Sequence, residues 1–235
     1  MKPATVAPGA RFECASDQTV LVSFGDQISL EAHGRVRALL ASLQNEPVAG
    51  TVNLHPAYCS LLIKFDPRRT THQHVERELR ERTARMGPVP AGSRRQVEIP
   101  VCYGADFGPD LGSLAELRGL LIGDLIRIHS QQTYTVFFLG FVPGFAYLGT
   151  VPEAIAAPRL ASPRRRVEAG SVGIAWHQTG VCPFPVPGGW QIIGKTPISM
   201  FRADRDPMSL LAVGDEVRFR PIPVDEYVRI ERGGA

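Results

Sequence analysis

The chain has 235 residues, a formal net charge of +3, 44% hydrophobic and 21% charged residues, proportions of a globular protein with enough chain for one large core or two small ones. No apolar run approaches the roughly 20 residues of a membrane-spanning helix, and the small positive charge does not point to a nucleic-acid partner. The first ten residues hold one Lys and no apolar stretch, so no export signal is visible and a cytoplasmic protein without membrane association is expected. Cys14, Cys59, Cys102 and Cys182 are scattered without a CxxC pair and are expected as reduced thiols. There is no HExxH, and His72 and His74 lie two apart in a helical stretch, on different sides, so a metal site is not expected.

In chain order, 11–15 and 19–24 read as strands. Val36, Leu39, Leu40 and Leu43 mark the i, i+3, i+4, i+7 stripe of a helix over 30–43, with Ser29 as N-cap. Two more strands are expected over 48–54 and 60–65. Thr70 followed by Gln73 fits a capping box opening a helix that carries Val75, Leu79 and Met86. The order strand–strand–helix–strand–strand–helix predicts an α+β layer with both helices on one sheet face. Residues 87–95, rich in Pro and Gly, read as a linker, which divides the chain into 1–92 and 93–235.

Past the linker, 96–102 reads as a strand. Asp110 is expected to cap a first short helix, and Leu121, Leu125 and Ile128 stripe a second. From Thr133 the pattern is strand and turn, over 133–141, 171–176, 190–193 and 216–221. Closely spaced strands with Gly and Pro between them favour a barrel or sandwich.

Residues 134–197 hold most of the chain's chemistry. Gly140-Phe141-Val142-Pro143-Gly144-Phe145-Ala146-Tyr147-Leu148-Gly149 opens the region. Pro158-Arg159, Pro163-Arg164-Arg165-Arg166 and Ala169-Gly170-Ser171-Val172 follow, then Gln178-Thr179-Gly180, Pro187-Gly188-Gly189-Trp190 and Gly194-Lys195-Thr196-Pro197. Glycines permit close backbone approach and prolines stiffen loops, so the clusters suggest either ordered loops lining one surface or simple barrel turns.

At these residues the chain resembles the PxpB/KipI family, also called allophanate hydrolase subunit 1, through its patterns GFxPGFxYL, PRxxxPRxxVxxGSVxIA, QTGxxPxxxPGGW and GxTP. The resemblance implies an N-terminal α+β domain followed by a cyclophilin-like β-barrel. It also implies a stable complex with a PxpC/KipA-type subunit which, with a PxpA-type protein, opens 5-oxoproline to glutamate using ATP. ATP, with or without Mg2+, would be bound in the complex, with no tightly bound cofactor in this chain and no activity of the chain alone. Two other branches stay open: a carboxyltransferase-like component acting on urea or a related amide, and a KipI-like inhibitor of a sensor histidine kinase. Trp176, His177, Cys182 and Val186 depart from the family pattern inside the presumed site loop, which bears on the substrate.

Lys195 is one of three lysines in the chain. With Thr196 it is the best polar pair for charge on a phosphorylated intermediate, with Trp190 and Phe145 as pocket walls. Gly189 to Thr196 matches the P-loop formula GxxxxGK[ST], but Trp-Gln-Ile-Ile inside it prefers extended structure. The arginine run reads as a solvated face, a partner surface or a clamp for a carboxylate or phosphate, and the resemblance raises Arg159 and Arg164, each fixed by a preceding proline, above their neighbours. Gln178, Thr179, Gly188, Gly189 and Tyr147 complete the candidate substrate-binding set. His129 reads either as a helix-end imidazolium suited to the dipole or as an acid–base group.

Overall fold

Val20 and Val22 alternate along one strand and Leu61, Ile63 and Phe65 along another, and these side chains seed the first core. The computed structural model describes residues 9–87 and 94–233, and the chain divides into two compact units, residues 1–93 and 94–235. Residues 88–93, most of the expected linker, lie outside the described residues.

The first unit runs β1 (Arg11–Ser16), β2 (Thr19–Ser23), α1 (Leu30–Asn45), β3 (Thr51–Pro56), β4 (Ser60–Phe65) and α2 (His72–Arg85). Its antiparallel sheet has the order β1-β2-β4-β3. Register places Val20 opposite Ile63 and Val22 opposite Leu61, and this apolar face joins Val36, Leu39 and Leu43 of α1 and Val75 and Leu79 of α2 in one cluster. Both helices therefore cover the same side, as the element order predicts. Ser29 caps α1 by accepting from Ala32 N. The cap of α2 falls one residue later than the capping box suggested: Thr71 accepts from His74 N, while the Thr70 hydroxyl is buried without a partner.

The second unit contains β5 (Gln96–Tyr103), α3 (Leu111–Arg118), α4 (Ile122–Gln131), β6 (Thr133–Leu139), β7 (Ala146–Gly149), β8 (Arg164–Val167), β9 (Ser171–Ala175), β10 (Gln178–Val181), β11 (Val186–Gly188), β12 (Gln191–Lys195), β13 (Glu216–Pro221) and α5 (Val224–Gly233). Seven strands close a barrel in the order β10-β7-β6-β13-β5-β12-β9, and β8 and β11 form a separate two-stranded ribbon. Only β13 and β5 pair in parallel among the barrel's strands. The barrel core includes Val101, Val136, Leu148, Ile174 and Val217, joined by Leu114 of α3 and Leu125 of α4. Sidedness explains the composition of β9: every residue of Ser171–Ala175 is buried, so the alternation that marks a half-exposed strand is absent.

Candidate functional site: an aromatic groove with one unpaired arginine

The turn between β6 and β7, the long connection between β7 and β8, the ribbon and the start of β12 line a groove of about 450 Å³, within the size range of small-molecule sites. Phe141, Phe145 and Tyr147 form one wall, Arg159, Pro163 and Val167 a second, and Cys182, Val186 to Gly189, Trp190 and Ile192 close it. Phe145 organises the aromatic wall. Its ring meets Trp190 edge-on at 5.6 Å and Tyr147 at 5.0 Å, the T-shaped geometry that aromatic quadrupoles favour. Gly180 lies beneath them: a Cβ there would meet Phe145 Cζ at 3.2 Å and Trp190 Cζ3 at 3.4 Å. This gives the glycine of Gln178-Thr179-Gly180 a physical reason.

The charge of the groove is one-sided. Arg159 lies on its lining and makes no ion pair or hydrogen bond with another described residue, and no carboxylate appears among the lining side chains. An unpaired guanidinium beside an apolar aromatic wall suits a ligand with a carboxylate at one end and an apolar ring or chain at the other.

Arg164 is differently employed. Its Nη2 donates to Asp110 Oδ1 at 2.5 Å, and its Nη1 donates to Trp190 O at 3.4 Å. Asp110, expected as a helix cap, makes no capping bond; its Oδ2 accepts from Ile192 N at 2.6 Å instead. The sequence marks this aspartate as a helix start, and nothing local to it signals a partner far along the chain.

Lys195 and Thr196 fall outside the groove. They line a second depression of about 330 Å³ with Glu168, Gly170 and Glu231. The expectation that Trp190 and Phe145 wall the pocket of Lys195 is therefore corrected. Lys195 ends the strand that follows Trp190, about 16 Å farther along extended chain. Glu168, held below the usual carboxylate range chiefly by Arg166, also feels Lys195. Thr196 is buried, and its Oγ1 accepts from Ile198 N. The P-loop formula describes a barrel strand, since β12 pairs with β9 on one side and β5 on the other. Backbone spent on sheet pairing cannot wrap phosphates, so these residues do not fit a triphosphate.

His129 is wholly buried. Burial lowers its pKa to about 3, so the ring is neutral and the imidazolium expected at the helix end is absent. Thr179 Oγ1 donates to Gly173 O at 3.0 Å, which commits its one proton. The contact between His129 Nε2 and Thr179 Oγ1 at 2.9 Å then has the imidazole as donor. Nδ1 is left as acceptor for Tyr103 OH at 2.8 Å, and burial raises the Tyr103 pKa, which keeps that phenol protonated. Tyr103, His129, Thr179 and Gly173 thus form one directed chain inside the barrel. His129 and Thr179, both in the candidate set, belong to this chain and not to the groove. Gln178 pairs with Gly149 and Ala175 on the barrel wall.

Of the four positions departing from the family pattern, Cys182 and Val186 line the groove. Trp176 and His177 form the turn between β9 and β10, where Trp176 is 61% exposed, and neither is part of the groove lining. The candidate residues the structure gathers are therefore Phe145, Tyr147, Arg159, Gly188, Gly189 and Trp190. Phe141, Pro163 and Ile192 join them without having been singled out.

Comparison with known proteins places this architecture. The family described as carboxyltransferase domain, subdomain C and D, matches residues 10–211, which defines the class. A curated relative, the B subunit of 5-oxoprolinase from Bacillus subtilis (strain 168), is 40% identical over 227 residues, covering 92% of this chain and 95% of that protein. The chain belongs to this PxpB family. Among solved structures, TTHA0988 is 36% identical with a TM-score of 0.78 over 88% of this chain, and the chain spans 40% of that protein's length. The K. lactis urea amidolyase shares the fold, with a TM-score of 0.77 at 17% identity over 98% of this chain, which spans 16% of that larger protein.

Proposed function

We propose that this chain is a subunit of an ATP-dependent 5-oxoprolinase, inactive alone, and that its groove holds the lactam substrate with the carboxylate on Arg159 and the ring against Trp190 and Phe145. One observation carries the subunit reading: identity of 40% along nearly the whole length of both this chain and the B subunit of a 5-oxoprolinase. The groove supports the substrate reading because its only lining charge is cationic and its walls are apolar. A small lactam acid presents one carboxylate on an otherwise compact ring, which is the complementary pattern.

The partners in this reading are a PxpC/KipA-type subunit and a PxpA-type protein, and the barrel is of the cyclophilin-like kind. ATP binds in the assembly, outside residues 189–196 of this chain. The protein acts in the cytoplasm. Among the described residues no helix is long and apolar enough to cross a membrane, and no cluster of side chains is suited to a metal ion.

Substrate choice separates this reading from amide carboxylation of the urea type. With the three proteins mixed, ATP consumption should rise on adding 5-oxoproline and stay at background with urea and bicarbonate. Stimulation by urea and not by 5-oxoproline would sink the proposal.

A further inference from the structure

Arg159 sits in a stretch without regular pairing of its own, between Ala157 and the ribbon strand β8. Its direction must be set from outside, and several contacts do so. Leu160 N donates to Gly189 O at 2.7 Å, and Gln191 Nε2 donates to Pro158 O at 3.1 Å. The loop is thereby laced to 189–191 on both sides of Arg159. The lacing ends at Arg164, which reaches Trp190 O and Asp110 with one planar fork. Asp110 in turn grips β12 twice, through its carboxylate to Ile192 N at 2.6 Å and through its own N to Ile192 O at 2.9 Å. Asp110 is only 7% exposed, so these contacts are sheltered from solvent. Trp190 and Ile192, the two residues whose backbone is held, both line the groove.

We propose that Arg164 and Asp110 form a latch that fixes the groove's cation and its aromatic wall in one geometry, so that they set affinity for the anionic substrate without touching it. They are positioning residues acting through Arg159 and Trp190. The neighbouring arginines are not placed to do this. Arg166 is exposed and pairs with Glu168, and Arg165 is exposed. Lysine at 164 would keep the charge but could not reach Asp110 and Trp190 O at once, because that needs the guanidinium fork. The role in affinity rests on the reading of Arg159 as the substrate's partner; the latch itself does not.

The test uses the assembled complex with Arg164→Met, Arg164→Lys and Asp110→Asn, the last retaining an acceptor for Ile192 N. Arg164→Met should raise KM for 5-oxoproline about tenfold with kcat little changed, and Arg164→Lys should fall between it and the parent. Combined with Arg159→Met, Arg164→Met should add less than it does alone, leaving only the part carried by Trp190. An unchanged KM in Arg164→Met and Asp110→Asn, or additive losses in the double variant, would overturn the inference. A second readout needs no substrate. Cys182 lines the groove, and burial pushes its thiol up to about 11; unlatching should speed its alkylation by a maleimide severalfold, followed by peptide mass spectrometry. An unchanged labelling rate in folded Arg164→Met overturns the latch. Faster labelling together with an unchanged KM in Arg159→Met overturns the substrate reading, and with it the latch as a determinant of affinity.

Discussion

His129 shows how far a residue's environment can invert its chemistry. A histidine near a helix C-terminus is favoured as a cation, yet here the ring is stacked on Phe219 at 4.7 Å and enclosed. Burial dominates and its pKa falls to about 3. The consequence for stability has a definite sign. The unfolded chain takes up a proton on this histidine below about pH 6.5 and the folded one does not, so stability is lost as pH falls, by about 1.4 kcal/mol per pH unit until the folded value is reached. Urea unfolding from pH 7 to 4.5 should show this slope in the parent and a shallower one in His129→Gln, even though that variant starts less stable. Equal acid slopes in the two proteins would mean that His129 does not titrate as described. The sequence could not foresee this, because what neutralises His129 is packing by Tyr103, Tyr134 and Phe219, residues brought from three different strands.

Elements were legible where periodicity is strict. The stripe of α1 and the cap at Ser29 are local features, and they appear as read. β12 misled the motif formula but not the physics: Ile192 and Ile193 extend the chain, and a strand keeps Lys195 far from Trp190. The start of α2 turned on one residue, because Thr70 and Thr71 are equally good caps by composition and only the turn from Asp66 to Thr70 decides between them. The two threonines should therefore respond oppositely. Thr71→Ala should cost about 1 kcal/mol through loss of the cap. Thr70→Val, which removes a buried hydroxyl without a partner, should be neutral or slightly stabilising. Unfolding midpoints of the two variants decide between the assignments, and a large loss in Thr70→Val alone would favour the capping box read from sequence.

At the scale of the whole molecule, the groove was legible as a set of motifs and as loops lining one surface, but not in which residues that surface leaves out. Phe145, Trp190 and Arg159 announce themselves through glycine- and proline-rich neighbourhoods, whereas the separation of Lys195 and the bond from Arg164 to Asp110 depend on barrel closure. Each unit has its own apolar cluster, so the barrel unit should fold without the first. A fragment beginning at residue 94 should keep its β-sheet circular dichroism and a cooperative melt; a fragment without either would show that the second core depends on the first unit. The groove supplies a cation and apolar walls, and in the proposed function this chain contributes a binding surface to a reaction that other subunits complete. Omission tests this role: ATP-dependent conversion of 5-oxoproline to glutamate by this chain, a PxpC-type protein and a PxpA-type protein, with each left out in turn. If the chain has this role, glutamate should form only in the complete mixture. Undiminished turnover without this chain, or robust hydrolysis by this chain alone, would contradict it.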